Sequence, residues 1–416
     1  MRLTVLNAML VSRKTSYEHE AGTLINTDIL IVGGGISGLH TAYELEKQHV
    51  DFILVEARER FGGRILSNNY DIKSAATDAH YAANKPAYDL GPSWFWPGQN
   101  NMAALVRELD LAESVFSQQG SGEPLYEDRQ GYIQKGFYGI SMAGAYRMQG
   151  GIRQIISGLE QHIRPEKLLK NTRVHCVECN EDGTVTTTVA KTGSGNERYQ
   201  INSKQVVMAL PPRIAMSAIE FKPFLPASRV TELNSYATWM AGHAKILVVY
   251  ERPFWLEQGL SGDAVSQRGP LREIHDASSN PANADDKNGY ALFGFVGVPG
   301  SDRKGKEDEL CQTAIAQLVR LFGDEMANPL DVVLQDWAQE AFTATPADQA
   351  MNGGHATASV SRYTEAVFDE RLIWSGTETA HHREGANGLL EGALEASVRT
   401  VQLLTKQYIM RMRNSG

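Results

Sequence analysis

Three glycines near the start of the chain have the spacing of a nucleotide phosphate site. Gly33, Gly35 and Gly38 form a GxGxxG pattern, with Ser37 directly before the last glycine. The first glycine allows a tight turn, the second lets a pyrophosphate approach the backbone, and the third lets a helix pack closely. Free N–H groups at the start of that helix would bind the phosphates. The pattern therefore predicts a dinucleotide site.

Two strands and a helix must position these glycines. Residues 28–32 are a short apolar run that predicts a buried parallel strand, and residues 39–48 predict the helix after the turn. A second strand is predicted at 52–55 and ends at Glu56. This acid follows the first glycine by about 20 residues, as does the carboxylate that binds ribose hydroxyls in such folds. Because Glu56 would repel a 2′-phosphate, the pattern disfavours NADP.

The residues after Glu56 favour FAD over NAD. Gly62 and Gly63 form a second glycine pair, and Arg64 follows at once. A glycine pair lets the backbone lie against a longer dinucleotide, and the planar guanidinium of Arg64 suits the pyrophosphate or the flavin side. We therefore expect FAD as the cofactor.

At this point the sequence resembles the flavin-containing amine oxidase family, which includes monoamine and polyamine oxidases. Residues 55–64 match the family's second-strand signature almost residue for residue. The resemblance implies a two-domain fold, bound FAD and oxidation of an amine. It continues in the same order to about residue 405, with further matching segments at 89–94, 150–152, 206–212, 244–255, 373–379 and 391–396.

The resemblance also assigns residues to the cofactor. It implies that the backbone of Val174 contacts the adenine, that Trp337 lies near the flavin and that Glu378 binds ribityl hydroxyls. With the residues derived above, the expected FAD-binding set is Gly33, Gly35, Ser37, Gly38, Glu56, Ala57, Arg58, Gly63, Arg64, Gly91, Pro92, Ser93, Trp94, Val174, Trp337, Gly376, Thr377, Glu378 and Leu389.

Lys245 is the expected catalytic residue. It interrupts an apolar strand predicted at 244–250, where a cation needs a specific role. A desolvated lysine also has a readily shifted pKa. The resemblance implies that Lys245 holds a water against flavin N5 and assists the reaction with oxygen. On its position alone, Lys245 could equally end a strand with its ammonium in solvent.

The implied reaction is oxidation of a small-molecule amine. A hydride passes from the carbon beside the substrate nitrogen to flavin N5, which gives an imine. The imine hydrolyses to a carbonyl compound and an amine, and O2 reoxidises the flavin with release of H2O2. The sequence offers no Ser/His/Asp triad and no metal-binding cluster as a competing interpretation.

Two departures from the family pattern bear on the site. Monoamine oxidases tether FAD through a cysteine shortly after the position of Trp337, but residues 338–346 contain no cysteine, so FAD is expected to be non-covalent. The family also encloses the amine between two aromatic rings, and here those positions offer Leu389 and Ala347. The aromatic run at 94–96 could replace this wall, although alternation would direct only some of its rings to the pocket.

The predicted fold class is α/β. A Rossmann-like FAD-binding domain is interleaved with an α+β substrate-binding domain, and the pocket is expected between them. We expect the FAD-binding domain from 26–113, 150–236 and 337–416, the substrate-binding domain from 114–149 and 237–336, and an N-terminal extension at 1–25.

Elements of the substrate-binding domain can also be predicted. Strands are expected at 244–250 and 290–296, and a helix at 308–322. Residues 261–287 are polar and turn-rich, which predicts a surface excursion with hairpin turns. The last helix of the chain is expected to end near Leu404.

Composition limits the location and the partners. The chain has 416 residues, a formal net charge of −9 and three cysteines. This acidity argues against a nucleic-acid binder, and the few cysteines favour a reducing, cytoplasmic setting.

Cys176 and Cys179 fall in a predicted strand, where their side chains would not converge on a metal. No apolar run reaches the roughly 20 residues of a membrane helix, no lipid anchor is recognised, and a monomer and a homodimer both stay open.

Two other interpretations stay open. A flavin oxidase or desaturase of the same plan could act on a cyclic substrate or an amino acid, whose carboxylate would need an arginine such as Arg147, Arg213 or Arg252. A flavin-binding protein with little catalysis would account for the missing rings. His381 and His382, beside the flavin end, could bind substrate or move protons, or could lie in a solvated turn.

Overall fold

The computed structural model describes residues 24–69, 87–118, 120–136, 141–193, 197–279, 289–349, 368, 371–380 and 386–414. Its strands are β1 (Leu24–Val32), β2 (Phe52–Val55), β3 (Ser67–Asn69), β4 (Ala87–Asp89), β5 (Val115–Ser117), β6 (Glu123–Glu127), β7 (Ile133–Lys135), β8 (Tyr146–Met148), β9 (Leu168–Leu169), β10 (Thr172–Cys179), β11 (Val185–Lys191), β12 (Arg198–Met208), β13 (Glu220–Lys222), β14 (Ala244–Tyr250), β15 (Leu260–Ser266), β16 (Leu271–Asp276), β17 (Tyr290–Val296), β18 (Asp331–Asp336) and β19 (Leu372–Trp374). Its α-helices are α1 (Ile36–Lys47), α2 (Asn100–Glu108), α3 (Arg153–Gln161), α4 (Pro212–Ala218), α5 (Ala227–Ser235), α6 (Phe254–Glu257), α7 (Gly300–Arg303), α8 (Glu307–Phe322) and α9 (Leu390–Asn414).

The first sheet has the parallel centre of a nucleotide-binding fold. Within the described residues its order is β13-β10-β11-β12-β1-β2-β9, and β19 pairs with the carboxyl end of β12. The strands β9, β2, β1, β12 and β19 are mutually parallel where they pair. The carboxyl half of β1 and all of β2 are apolar and buried, as expected of a parallel sheet covered on both faces by other elements.

The second sheet is largely antiparallel, and its order in the described chain is β18-β14-β17-β16-β15-β6-β7. Its strands come from residues 123–135 and 244–336, whereas those of the first sheet come from residues 24–55, 168–222 and 372–374. The chain therefore passes repeatedly between the two sheets. The exact domain boundaries stay predictions.

Separate hydrophobic clusters support the two sheets. On one face of the first sheet, Leu39 of α1, Ile155 of α3 and Leu394 of α9 pack together without solvent exposure. In the second sheet, Val248 of β14 packs in a cluster with Leu318 of α8. Burial of such side chains stabilises the fold by roughly 1.5–3 kcal/mol each. Each sheet is thus supported by its own packed core.

Most predicted elements are found, with shifts at their ends. The strands at 244–250 and 290–296 and the second strand at 52–55 have the predicted bounds. Helix α1 begins at Ile36, three residues before the prediction, because the last glycine of the pattern lies inside the helix. Helix α9 extends to Asn414, so the predicted end near Leu404 was wrong.

For the part of 261–287 that the structure describes, the predicted hairpin is found but the predicted surface location was wrong. Residues 260–266 and 271–276 form the hairpin β15–β16 inside the second sheet. Polar side chains here are buried because they bind one another: His275 Nδ1 lies 3.0 Å from Asp263 Oδ1, and Trp255 Nε1 donates to Asp276. The polar composition therefore predicted a surface segment where the fold has a buried hairpin. Buried polar groups are tolerated there because they are hydrogen-bonded.

Candidate active site

A cavity of about 670 Å³ opens between the two sheets. One side is lined by Val32 and Val55 at the carboxyl ends of β1 and β2, and the other by Lys245 and Phe295 of the second sheet. Its volume falls within the range of small-molecule and cofactor sites. Ligands of open parallel sheets bind at this position, outside the carboxyl ends of the strands.

The cavity gathers residues from distant parts of the chain. Gly38 is the one expected site residue that does not line it, because it lies behind the wall in α1. The expected residues that do line it are Gly33, Gly35, Ser37, Glu56, Ala57, Arg58, Gly63, Arg64, Gly91, Pro92, Ser93, Trp94, Val174, Lys245, Trp337, Gly376, Thr377, Glu378 and Leu389.

Each of the three glycines of the phosphate turn is required for a different geometric reason. Gly33 has φ +109°, and a Cβ there would lie 2.5 Å from the carbonyl oxygen of Ala209. A Cβ at Gly35 would meet no atom within 4 Å, since this residue borders the cavity, whereas one at Gly38 would collide with the carbonyl oxygen of Gly33. Helix α1 begins beside Gly35 without a side-chain cap, so its first N–H groups are available to an anion.

Glu56 is held in place by the backbone around it. Its carboxylate accepts hydrogen bonds from the amides of Gly34 and Arg58, each at 2.8 Å, and the residue is 5% exposed. The carboxylate is therefore fixed at the end of β2, beside the turn. This geometry suits a group that orients ribose hydroxyls.

The start of α1 is joined to the C-terminal part of the chain. The hydroxyls of Ser37 and Ser375 lie 2.8 Å apart, and the amide of Gly376 donates to Ser37 Oγ at 3.1 Å. The hydroxyl of Thr377 donates to the carbonyl oxygen of Leu389 at 2.8 Å. These bonds bring the phosphate turn and the segment after β19 together at one wall of the cavity.

Arg64 and Glu378 contact each other across the cavity wall. Arg64 Nη2 lies 2.7 Å from Glu378 Oε1, and Arg64 Nη1 donates to the carbonyl oxygen of Trp239 at 3.2 Å. Glu378 is 2% exposed. This contact fixes both side chains at one wall of the cavity.

Lys245 is buried at the cavity wall and donates three hydrogen bonds. Its Nζ donates to the carbonyl oxygens of Asp89 at 2.7 Å and Gly91 at 3.0 Å, and to Ser93 Oγ at 2.8 Å. It also lies 3.8 Å from the ring centroid of Phe293. Burial lowers the pKa of Lys245 to about 7 and outweighs the opposing effect of the Asp89 carboxylate. The alternative of an ammonium that reaches solvent is therefore excluded, since Lys245 is 2% exposed.

Comparison with known proteins identifies the family. Residues 116–405 match the family model described as flavin containing amine oxidoreductase, and residues 31–109 match that of an NAD(P)-binding Rossmann-like domain. The chain belongs to the flavin-containing amine oxidoreductase family.

Individual members of this family are similar to the protein over most of its length. A putative flavin-containing monoamine oxidase of Mycobacterium tuberculosis is 30% identical, with 89% of this chain and 95% of the relative covered. A probable flavin-containing monoamine oxidase A of Dictyostelium discoideum is 23% identical, with 89% and 96% covered. The solved structure of a putrescine oxidase triple mutant superposes with a TM-score of 0.74 at 20% identity, with 92% of this chain and all of that chain covered, which shows the shared fold.

As a member of this family, the protein is an FAD-dependent oxidoreductase. The phosphate turn, the free N–H groups of α1 and the fixed carboxylate of Glu56 fit the adenosine diphosphate half of FAD. None of the three cysteines lines the cavity: Cys176 and Cys179 lie in β10 and Cys311 in α8. A cysteinyl tether is excluded, and FAD is held non-covalently.

The side chains of the aromatic run at 94–96 alternate in direction, as predicted for an extended segment. Trp94 and Trp96 line the cavity, whereas Phe95 points away and packs on Tyr146 with ring centroids 5.4 Å apart. Trp94 Nε1 donates to Gln118 Oε1 at 3.1 Å, which fixes the plane of the ring. Two of the three rings therefore contribute to the wall of the amine oxidoreductase site.

Further rings near the flavin end were missed from the sequence. Leu389 lines the cavity as expected and Ala347 does not, but Trp239 and Phe295 supply aromatic walls from the second half of the chain. Gly388 lies directly against Trp239, since a Cβ there would be 2.5 Å from its Cγ. No local signal distinguishes Trp239 from a core residue, because the turn before β14 brings it to the cavity.

Polar residues of the substrate half were missed as well. Glu273 and Arg272 of β16 and His243 before β14 all line the cavity. Burial, followed by the charge of Arg303, lowers the pKa of His243, and its Nδ1 has no hydrogen-bond partner within the described residues. The wrong assignment of 261–287 is the reason that Glu273 was overlooked.

The arginines considered for an amino-acid carboxylate do not line the cavity. Arg147 donates to the carbonyl oxygens of Ala277 and Ser278, Arg213 pairs with Asp348, and Arg252 lies at the surface.

His381 and His382 lie outside the described residues. Among the residues that the structure describes, no group of acids, histidines or cysteines could hold a metal ion, and no helix is long and apolar enough to cross a membrane.

Proposed function

We propose that this protein oxidises a small-molecule amine with O2 as the electron acceptor. When bound, FAD would supply the hydride acceptor for the carbon beside the amine nitrogen, and water would hydrolyse the resulting imine to a carbonyl compound and an amine. O2 would take the two electrons from the reduced cofactor and leave as H2O2. The observation that supports this best is the buried Lys245, whose pKa of about 7 places a switchable charge at the wall of a largely apolar cavity.

The residues that line the cavity have distinct proposed roles. Glu56, the glycine turn and Ser37 bind the adenosine and phosphate groups, and Arg64 with Glu378 orients the middle of FAD. Trp94, Trp239, Phe295 and Leu389 enclose the substrate carbon and exclude water, and a neutral amine suits such a wall because an ammonium would lose its hydration there. Lys245 is held by three acceptors, so its ammonium stays at one point of the wall.

The proposal is tested by anaerobic mixing of the purified holoprotein with a panel of amines. Loss of the oxidised-flavin absorbance with one class of amine, and its recovery in air with formation of H2O2, is the expected result. Free FAD with the same amines is the control. If no amine bleaches a flavin that dithionite still reduces, the amine-oxidase proposal fails in favour of another substrate or of a binding role.

A further inference from the structure

The ammonium of Lys245 uses all of its hydrogen-bond donors on the protein. An ammonium carries three N–H groups and no acceptor. Lys245 Nζ donates to the carbonyl oxygen of Asp89 at 2.7 Å and to that of Gly91 at 3.0 Å. Its third bond is to Ser93 Oγ, at 2.8 Å. A direct contact of the ammonium with a molecule in the cavity would break one of these bonds, so a proton of Lys245 is better passed on through a partner.

Ser93 is the partner that can carry a proton. A carbonyl oxygen only accepts hydrogen bonds, whereas a hydroxyl both accepts and donates. Ser93 is 5% exposed and lines the cavity, as Lys245 does. Within the described residues, the one hydrogen-bond partner of Ser93 Oγ is Nζ of Lys245. While Oγ accepts from the ammonium, the hydroxyl proton can therefore point into the cavity.

The charged groups around Lys245 do not offer another route. They are Asp89, which favours the ammonium, and Arg147, which opposes it. The carboxyl of Asp89 accepts from Ser67 Oγ and from the amide of Ile152, and Asp89 does not line the cavity. The guanidinium of Arg147 donates to two backbone carbonyl oxygens and keeps its protons at any physiological pH.

From this arrangement we propose that Ser93 relays a proton from Lys245 to the oxygen that is reduced in the cavity. In the conversion of O2 to H2O2, both electrons and one proton come from the reduced flavin, which leaves one proton for the protein to supply. An N–H bond of Lys245 breaks as a new O–H bond forms on Ser93, and the original hydroxyl proton of Ser93 passes to the reduced oxygen. This inference rests on the proposed use of O2 and adds Ser93 to the catalytic residues.

The contact between Ser93 and Lys245 also stabilises the state after the transfer. A neutral amine has a lone pair that accepts a hydrogen bond, and the Ser93 hydroxyl then donates to it. The two carbonyl oxygens cannot do so, because they carry no proton. Burial lowers the pKa of Lys245 to about 7, so both states are accessible near neutral pH, as a proton donor requires.

The kinetic test starts from holoprotein reduced with dithionite, so that no amine is needed. The reduced protein is mixed with O2 in a stopped-flow instrument. Ser93→Ala keeps the lysine but removes the relay, and it should slow reoxidation about 100-fold, the lower end for proton transfer by a positioned side chain. The double variant Ser93→Ala/Lys245→Met should be no slower than the slower single variant, because both residues act in one transfer.

An NMR titration of isotope-labelled lysine side chains in the oxidised holoprotein gives a readout that does not depend on turnover. The signal of Lys245 is identified by its loss in Lys245→Met. Ser93→Ala should lower the pKa of Lys245, because the ammonium loses a charge-assisted hydrogen bond whereas the neutral amine loses a weaker one. Ser93→Thr, which keeps a hydroxyl, should retain the wild-type titration and restore most of the reoxidation rate.

Ser278→Ala is the matched control. Ser278 is 6% exposed, close to the value for Ser93, and its hydroxyl accepts from the amide of Ala291 away from the cavity. This variant should reoxidise and titrate as the wild type does. FAD content and thermal midpoints are compared in all variants. In the wild type itself, reoxidation should be slower in heavy water, because the relay moves two protons.

The outcomes separate the relay from the proposed function. If Lys245→Met slows reoxidation but Ser93→Ala reacts at the wild-type rate, the relay is overturned and Lys245 acts through its charge alone. A double variant whose loss is the product of the two single losses overturns the relay too, as does a wild-type rate that is unchanged in heavy water. If O2 does not reoxidise the reduced wild type, the proposed electron acceptor itself fails.

Discussion

At the scale of single residues, Lys245 illustrates how burial changes chemistry. Its ammonium has three hydrogen-bond acceptors and a ring below it, yet the loss of hydration still lowers its pKa to about 7. The fully buried Asp89 next to it has a raised pKa for the same reason, burial. The site therefore contains a lysine ammonium that loses its proton near physiological pH.

Lys245→Met should slow reoxidation of the reduced flavin by O2. A positive charge at the wall stabilises negative charge on oxygen as it is reduced, and loss of one such group costs about 100-fold in rate. Because the pKa of Lys245 is about 7, the protonated form dominates below that pH, and the wild-type rate should fall as pH rises through 7. Stopped-flow mixing of reduced protein with O2 measures both effects.

The pH profile is the decisive control for this prediction. In Lys245→Met the reoxidation rate should be flat near pH 7, whereas reduction by the amine should continue. A variant that keeps the wild-type transition near pH 7 would show that another group is responsible.

At the scale of elements, the contact between β1 and α1 separates two roles of glycine. Gly38 allows the helix to pack on the turn, whereas Gly35 faces the cavity. Gly38→Ala should therefore destabilise the FAD-free protein by about 1–3 kcal/mol, the usual cost of overpacking. Gly35→Ala should leave the stability of the FAD-free protein unchanged and weaken FAD binding.

Denaturant unfolding and FAD titration of both variants check this distinction. Each variant is the control for the other, because the substitution is the same and both glycines lie at the start of α1. Equal loss of stability in the two variants would contradict the assigned geometry.

A second element, the segment after β18, closes over the nucleotide side of the cavity. Arg58 Nη2 donates to Thr343 Oγ1 at 2.7 Å, and its guanidinium lies 5.5 Å from the ring centroid of Phe342. Thr343→Val removes this bond, so we expect FAD affinity to fall about 5-fold, as for a bond of about 1 kcal/mol.

The recovery of FAD fluorescence on dilution measures this loss of affinity. Thr313→Val is the control, since the hydroxyl of Thr313 binds within the exposed face of α8. Release of FAD at the wild-type rate from Thr343→Val would show that the segment does not retain the cofactor.

At the scale of the whole molecule, the cavity joins two independently packed sheets. A ligand that binds only the folded state stabilises it by about 2.7 kcal/mol at 100 times its Kd. For 416 residues this corresponds to a rise in Tm of roughly 3 °C on addition of FAD to the FAD-free protein. Riboflavin, which lacks the phosphates and the adenosine, should give a smaller rise.

Non-covalent binding makes a second prediction for the whole molecule. Acid precipitation of the holoprotein should leave all the flavin in the supernatant, because no cysteine lines the cavity. Yellow colour that stays with the precipitate would indicate a covalent bond to another residue.

The sequence by itself determined the nucleotide half of the site. The glycine spacing, Glu56 and the apolar strands depend on local geometry, and local geometry is set by residues that are close in the sequence. The strand of Lys245 was predicted for the same reason, with the bounds that the structure has. Its proposed role came from the resemblance.

Only the tertiary structure decided the substrate half. Trp239, His243 and Glu273 reach the cavity through turns and the register of antiparallel strands, which depend on contacts between residues far apart in the chain. The hairpin β15–β16 was mistaken for a surface segment because its buried polar side chains satisfy one another only after folding. Pairing across strands, rather than the order of residues, therefore places Glu273 opposite Phe295 and in line with Lys245.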